Sequence, residues 1–203
     1  MWARKDVSLD GAGNLELWTR APEQENGKYS TGAVRTKGRY ERAFGFFEAR
    51  MRFPEAHGHW PAFWLFTQAE TIVGNEGRDG TEVDIREKPT LTGEIQHNLH
   101  WDGYGEAHRG TGKVVTAPEL ANGWHILGLD WTPTEYVFYV DGKETWRTTA
   151  GGVCQVPLYI KFTEEIGPWA GDITTAKLPD RFLVDYVRVF ERTSTALPKN
   201  ASR

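Results

Sequence analysis

Period-two alternation of apolar and polar residues dominates this chain. Its clearest case runs from Ala43 to Phe53, where Phe47, Ala49, Met51 and Phe53 alternate with Glu48, Arg50 and Arg52. Successive strand side chains point to opposite faces, so this pattern predicts a strand with one buried and one wet face. Asn14 to Thr19 reads the same way, with Leu15, Leu17 and Thr19 on one side. Lys28 to Thr36 reads as one Gly-punctuated strand, and Trp60 to Phe66 as a continuous apolar run short enough for a buried strand. Further strands are predicted over Glu94 to Trp101, Trp124 to Trp131, Glu135 to Val140, Lys143 to Arg147, Pro157 to Thr163 and Phe182 to Phe190. Asp141-Gly142 is a hairpin turn signal. Ala69 to Gly80, Asp102 to Thr116 and Glu164 to Thr175 read as loops. No stretch sustains a 3.6-residue apolar period. About ten short strands between Gly, Pro and Asp turns predict an all-β chain, a two-sheet antiparallel β-sandwich of jelly-roll type. One domain over residues 1–203 is expected, with a disordered tail over 193–203.

One strand departs from simple alternation. Thr81-Glu82-Val83-Asp84-Ile85-Arg86-Glu87 carries three carboxylates interleaved with Val83 and Ile85. On a plain strand Glu82 and Asp84 share a face while Glu87 points the other way. One extra residue, a β-bulge in the Ile85-Arg86 region, returns Glu87 to the face of the other two. Pro89 ends the strand. Crowded carboxylates whose protonation states differ are the working parts of a glycosidase, one ionised and one with a raised pKa. Like charges and burial against aromatic rings both raise a pKa. A solvated acidic face or a cation site are the competing readings of the same segment.

Composition narrows the classes. With 24 basic and 28 acidic residues, net charge is -4 and no basic run stands out, which argues against nucleic acid as a partner. No segment is apolar for long enough to cross a bilayer, so no membrane partner is expected. No apolar stretch follows Met1-Trp2-Ala3-Arg4-Lys5-Asp6, so no signal peptide is visible. The single cysteine, Cys154, excludes an internal disulfide and leaves the compartment open. Nine Trp, seven Tyr and ten Phe beside 22 Gly fit short strands, tight turns and a sugar-stacking surface. His97, His100, His108 and Asp102 match no tetrahedral zinc spacing.

The residues also carry a family resemblance. Glu82-Val83-Asp84-Ile85-Arg86-Glu87 resembles the Glu-x-Asp-x-x-Glu signature of glycoside hydrolase family 16 in its bulged form, the laminarinase and β-glucanase type. Five other segments resemble that family in its order: Gly32 to Thr36, Phe44 to Arg50, Gly58-His59-Trp60-Pro61-Ala62-Phe63-Trp64-Leu65, Leu99-His100-Trp101, and Phe182 to Val189. The resemblance implies a concanavalin A-like jelly roll with a carbohydrate-binding cleft on its concave face. It implies Glu82 as nucleophile, Glu87 as acid/base and Asp84 as the residue tuning them. Retention of configuration follows, with the two glutamates about 5–5.5 Å apart. Arg35, Trp60, Trp64, His100, Trp101 and Trp169 are the substrate-binding candidates. Core packing is the alternative for each tryptophan, a surface ion pair for Arg35, and a satisfied strand histidine for His100. Trp2, Trp18, Trp124, Trp131 and Trp146 read as structural, and Arg86 as facing away from the cleft.

The expected activity is endo-cleavage of a β-linked polysaccharide by double displacement, on β-1,3- or mixed-linked β-1,3-1,4-glucan. The alternatives are a β-galactan hydrolase, a transglycosylase, or a non-catalytic carbohydrate-binding module. Relatives of this type imply a monomer acting outside the cell or in the periplasm, with no required cofactor. Some build a structural calcium site with the Asp of the closing strand, here Asp185, and an early strand; with that strand expected to be absent or shortened here, loss of the site is expected. Lys161 to Gly171 departs from the laminarinase pattern by bringing in Glu164 and Glu165. If both border the cleft, they disfavour sulfated galactans.

Overall fold

The computed structural model describes residues 1–25, 27–87, 93–116 and 123–191, where the alternation resolves into fifteen strands in two antiparallel sheets. The expected tail and the stop at Pro89 lie outside the described residues. The strands are β1 (Val7–Leu9), β2 (Leu15–Arg20), β3 (Ser30–Thr31), β4 (Ala33–Arg35), β5 (Glu41–Arg42), β6 (Gly45–Arg52), β7 (His59–Phe66) and β8 (Glu82–Glu87). There follow β9 (Glu94–Trp101), β10 (Arg109–Thr116), β11 (Trp124–Trp131), β12 (Tyr136–Val140), β13 (Lys143–Thr148), β14 (Leu158–Ile166) and β15 (Asp180–Phe190). One sheet runs β1-β2-β15-β6-β11-β12-β13, with β3 beside β2. The other, the cleft sheet, runs β10-β9-β8-β7-β14-β4, with β5 also on β14.

The core fills the space between the sheets. Phe47 and Met51 of β6, Leu127 and Leu129 of β11 and Phe138 of β12 meet Phe63 and Leu65 of β7, Val83 and Ile85 of β8, and Ile95 and Leu99 of β9; all are fully buried. Each such side chain contributes about 1.5–3 kcal/mol by leaving water. The β7 run, expected to be buried throughout, is instead a wall. Phe63 and Leu65 face the core, while Trp60, Trp64 and Phe66 are half-buried on the other side.

The strand expected over Lys28 to Thr36 is two strands in different sheets. The chain crosses between them at Gly32, where a Cβ would lie 2.2 Å from the Asp6 carbonyl oxygen, so only glycine fits. Two other expectations change. Residues 109–116, read as loop, form edge strand β10, whose exposed Gly- and Lys-bearing sequence has no apolar alternation to reveal it. β14 runs on to Ile166 and takes in Glu164 and Glu165, because they pair with Pro61 and Trp60 of β7. Asp141 and Gly142 both have positive φ, as a two-residue hairpin turn requires. Among the described residues, helical structure is confined to short 3-10 turns, and no helix is long and apolar enough to cross a membrane.

Candidate active site

The acidic strand β8 lies inside the cleft sheet, between β7 and β9. Asp84 pairs with Asn98 and Glu87 with Gln96, so three steps on β8 match two on β9. The same extra residue appears against β7, where Phe63 and Trp64 face Arg86 and Asp84. This bulge turns Glu82, Asp84 and Glu87 onto one face, and all three line a cavity of about 150 Å³ with Trp60, Ala62, Trp64, Thr163 and Glu165. A larger concavity of about 510 Å³ beside Glu76 and Thr149 lacks paired carboxylates.

Two of the three carboxylates, Glu82 and Glu87, accept hydrogen bonds, whereas Asp84 Oδ2 is buried without a hydrogen-bond donor among the described residues. Glu87 accepts hydrogen bonds from Trp60 Nε1 at 3.1 Å and from Asn98 Nδ2. Burial raises its pKa, and these two donors together with the Arg86 charge pull it partly back. Burial, then the charges of Glu82 and Glu87, push Asp84 well above the ordinary carboxylate range, against the Lys161 cation. His100 Nε2 lies 3.6 Å from Asp84 Oδ2. Glu82 accepts a hydrogen bond from the Tyr104 hydroxyl. The arrangement can hold a proton at the Glu87 end while offering a carboxylate at the other.

Trp60 and Trp169 meet edge-on, with ring centroids 4.6 Å apart, and Trp169 is exposed beside the cavity. Trp64 lines the cavity too, but one ring face is occupied: Lys161 Nζ sits 3.5 Å from its centroid, within reach of Trp2 and Phe66. Burial lowers Lys161 to about 8, although Glu82 and Glu165 favour its charge. Arg35, exposed on β4, is the cross-strand neighbour of Lys161.

Several candidates stand elsewhere. Trp101 shares the core-facing side of β9 with Leu99 and packs on the core and against Gly151, so the structure does not bring it to the cleft. His97 is turned inward too, bonded to the Ile85 carbonyl and to Thr145 Oγ1, and burial lowers it to about 4. Arg86 is fully buried, its guanidinium 3.7 Å from the Phe53 ring centroid and donating to the Pro61 carbonyl. Glu164 also points into the sandwich, 2.8 Å from His59 Nδ1 and accepting from Thr19 Oγ1. Of the two added acids only Glu165 lines the cavity.

Asp185 lies in the other sheet, where its carboxylate binds Arg50 Nη1 at 2.6 Å. One carboxylate neutralised by a guanidinium does not fit calcium, which takes six to eight oxygens. Among the described residues, Glu82, Asp84 and His100 can bring ligand atoms within 4.8 Å of one another, and they belong to the carboxylate site itself.

The sequence reading missed Asn98, Tyr104, His108 and Lys161. Asn98 had a signal, since it lies two residues from His100 on the same strand face. Tyr104 and His108 had none, because a loop brings them in.

The family model described as glycosyl hydrolases family 16 matches residues 1–188. A keratan-sulfate endo-1,4-beta-galactosidase of Sphingobacterium multivorum is 29% identical over 171 residues, covering 80% of this chain and 40% of that protein. A beta-glucanase of Rhodothermus marinus is 26% identical over 205 residues, covering 93% of this chain and 71% of that protein. The chain therefore spans well under half the length of the first of these relatives. The solved laminarinase catalytic domain from Thermotoga maritima matches with a TM-score of 0.76 at 26% identity, covering 95% of this chain and 82% of that one.

Proposed function

The chain belongs to glycosyl hydrolase family 16, and from that membership we propose that it is a retaining, endo-acting glycoside hydrolase of a β-linked glucan. The observation that carries the reading is the bulged strand, which gathers three carboxylates with different surroundings into one cavity. Glu82 attacks the anomeric carbon as the glycosidic C–O bond breaks, and Glu87 gives its proton to the departing oxygen. A glycosyl-Glu82 ester results. Glu87, now a carboxylate, takes a proton from water as that water's oxygen attacks the anomeric carbon and releases Glu82. Asp84 holds a proton between the two and limits the charge they share. Trp60 and Trp169 offer ring faces and edges to the sugar, Arg35 and His100 polar contacts.

β-1,3- or mixed-linked β-1,3-1,4-glucan is the preferred substrate, supported by the beta-glucanase and laminarinase relatives. A second reading, a β-linked galactan, is favoured by the galactosidase relative and by Glu164 facing away from the cleft. The whole chain is read as one catalytic unit, monomeric and working outside the cell or in the periplasm.

Reducing-end release from laminarin, lichenan, agarose, xyloglucan and keratan sulfate, beside Glu82→Gln and Glu87→Gln, tests this. Cleavage of one polymer, abolished by both changes, supports the enzyme. NMR of the first product should show the β-anomer; the α-anomer would refute retention. Binding without cleavage, unaffected by both substitutions, would make the chain a carbohydrate-binding module.

A further inference from the structure

The loop after β9 carries a hydroxyl onto Glu82. Asp102 and Gly103 have φ of 59° and 73°, a left-handed pair that turns the chain sharply where the strand ends. Asp102 Oδ1 accepts the Gly74 N–H at 3.0 Å, which ties the turn to the neighbouring loop. Tyr104 follows and donates its hydroxyl hydrogen to Glu82 Oε2. The tyrosine is 60% exposed, so burial does not hold it there. A row of rings does. Tyr104 lies near-parallel to His108 with ring centroids 5.9 Å apart, and His108 meets His100 edge to edge with centroids 5.2 Å apart. His100 Nδ1 and His108 Nε2 are hydrogen-bonded at 3.0 Å, and the row ends with His100 Nε2 3.6 Å from Asp84 Oδ2.

We propose that Tyr104 is a further catalytic residue of this site, its hydroxyl holding one oxygen of Glu82 while the other faces the anomeric carbon, and that His100 and His108 position it. The proposal rests on the reading of Glu82 as nucleophile. A carboxylate attacks through one oxygen, and a charge-assisted hydrogen bond on the other fixes the plane of the group. When Glu82 Oε1 bonds to the anomeric carbon, Oε2 becomes the ester carbonyl oxygen, and Tyr104 keeps its proton and still donates. In the second step the C–Oε1 bond breaks and its electron pair returns to the carboxylate. The hydroxyl stabilises that departing charge, so its largest effect falls on release of the glycosyl-enzyme.

The test compares wild type, Tyr104→Phe and His108→Ala. With an aryl glycoside bearing a good leaving group, Tyr104→Phe should lower kcat about tenfold to a hundredfold, the range of one lost charged hydrogen bond. It should also show a burst of the aryl alcohol, since the glycosyl-enzyme accumulates, while its Tm stays near the wild-type value. His108→Ala should give a smaller change of the same kind. A second readout needs no activity: carboxyl NMR titration of Glu82, which is surrounded by Asp84, Glu87, His100, His108, Lys161 and Glu165. Its midpoint should rise in Tyr104→Phe while that of Glu87 stays. An unmoved Glu82 midpoint overturns the proposal. A raised midpoint in a protein whose Glu82→Gln form remains fully active overturns the catalytic role and places the fault in the choice of nucleophile.

Discussion

Gly112 stands directly opposite Asn98 in the β9–β10 ladder, and a Cβ on it would lie 2.0 Å from Asn98 Oδ1. The missing side chain gives Asn98 room to reach Glu87. Gly112→Ala should therefore displace Asn98 and lower kcat/KM by about tenfold or more, because small misplacements at a reacting group are costly. The overpacking should also destabilise by about 1–3 kcal/mol. Steady-state kinetics beside urea melts check both, and an unchanged kcat/KM would mean that Asn98 does not orient Glu87.

Asn98→Ala tests the same contact through pH. The Asn98 and Trp60 hydrogen bonds favour the ionised form of Glu87 and lower its pKa. Removing one donor raises it, so the protonated acid persists to higher pH. The alkaline limb of the kcat/KM profile should move up while the maximum falls. A downward move would count against Glu87 as the general acid.

Lys161 acts from β14, two strands away from the acids in the same sheet. Its cation lowers the pKa of Asp84 and itself fades above about pH 8. Lys161→Met should shift the acidic limb of kcat/KM to higher pH, because the carboxylate wall that faces this cation then holds protons more readily. Lys161→Arg should keep the limb near its wild-type position. If Met and Arg variants give the same profile, the lysine is only packing on Trp64.

The buried carboxylates should contribute a stability that falls as pH rises through the weakly acidic range, against an opposite slope from His97, which burial keeps neutral down to about 4. Burial raises the pKa of Asp84 and of Glu164, so the folded chain holds protons that the unfolded chain has already released. With more protons bound in the native state, the slope of unfolding free energy against pH is negative. The contribution is whole below the unfolded carboxylate pKa, about 4. It is lost as pH climbs through the raised values. Glu164→Gln should flatten this part of a Tm-against-pH curve, and an equally steep curve would remove Glu164 as a source.

The strands with a wet face and a core face were readable because burial imposes period two. β6, β9 and β11 appear at or within two residues of their expected bounds for that reason. β10 was unreadable because an exposed edge strand buries almost nothing, with Val115 alone of its residues resting partly on the core. The carboxylate wall was readable because three acids in one short segment, offset by one residue, need a bulge to share a face. The tryptophans divided differently. Trp60 and Trp64 differ from Trp101 only in which side of the sheet their strand parity selects, and parity is set by register.

Local sequence alone therefore determined the all-β character, most strand positions, the bulge and the family. These depend on side-chain period and short motifs, which are properties of neighbours in the chain. Only the tertiary structure decided which groups act on the acids. Trp60, Asn98, Tyr104, His100 and Lys161 arrive from two adjoining strands, a loop and a third strand, and pairing register brings them together. It also decided that Glu164 and Arg86 turn inward while Glu165 turns to the cleft. A charge changes pKa through distances of a few ångströms, and those distances are fixed by pairing between residues far apart in the chain.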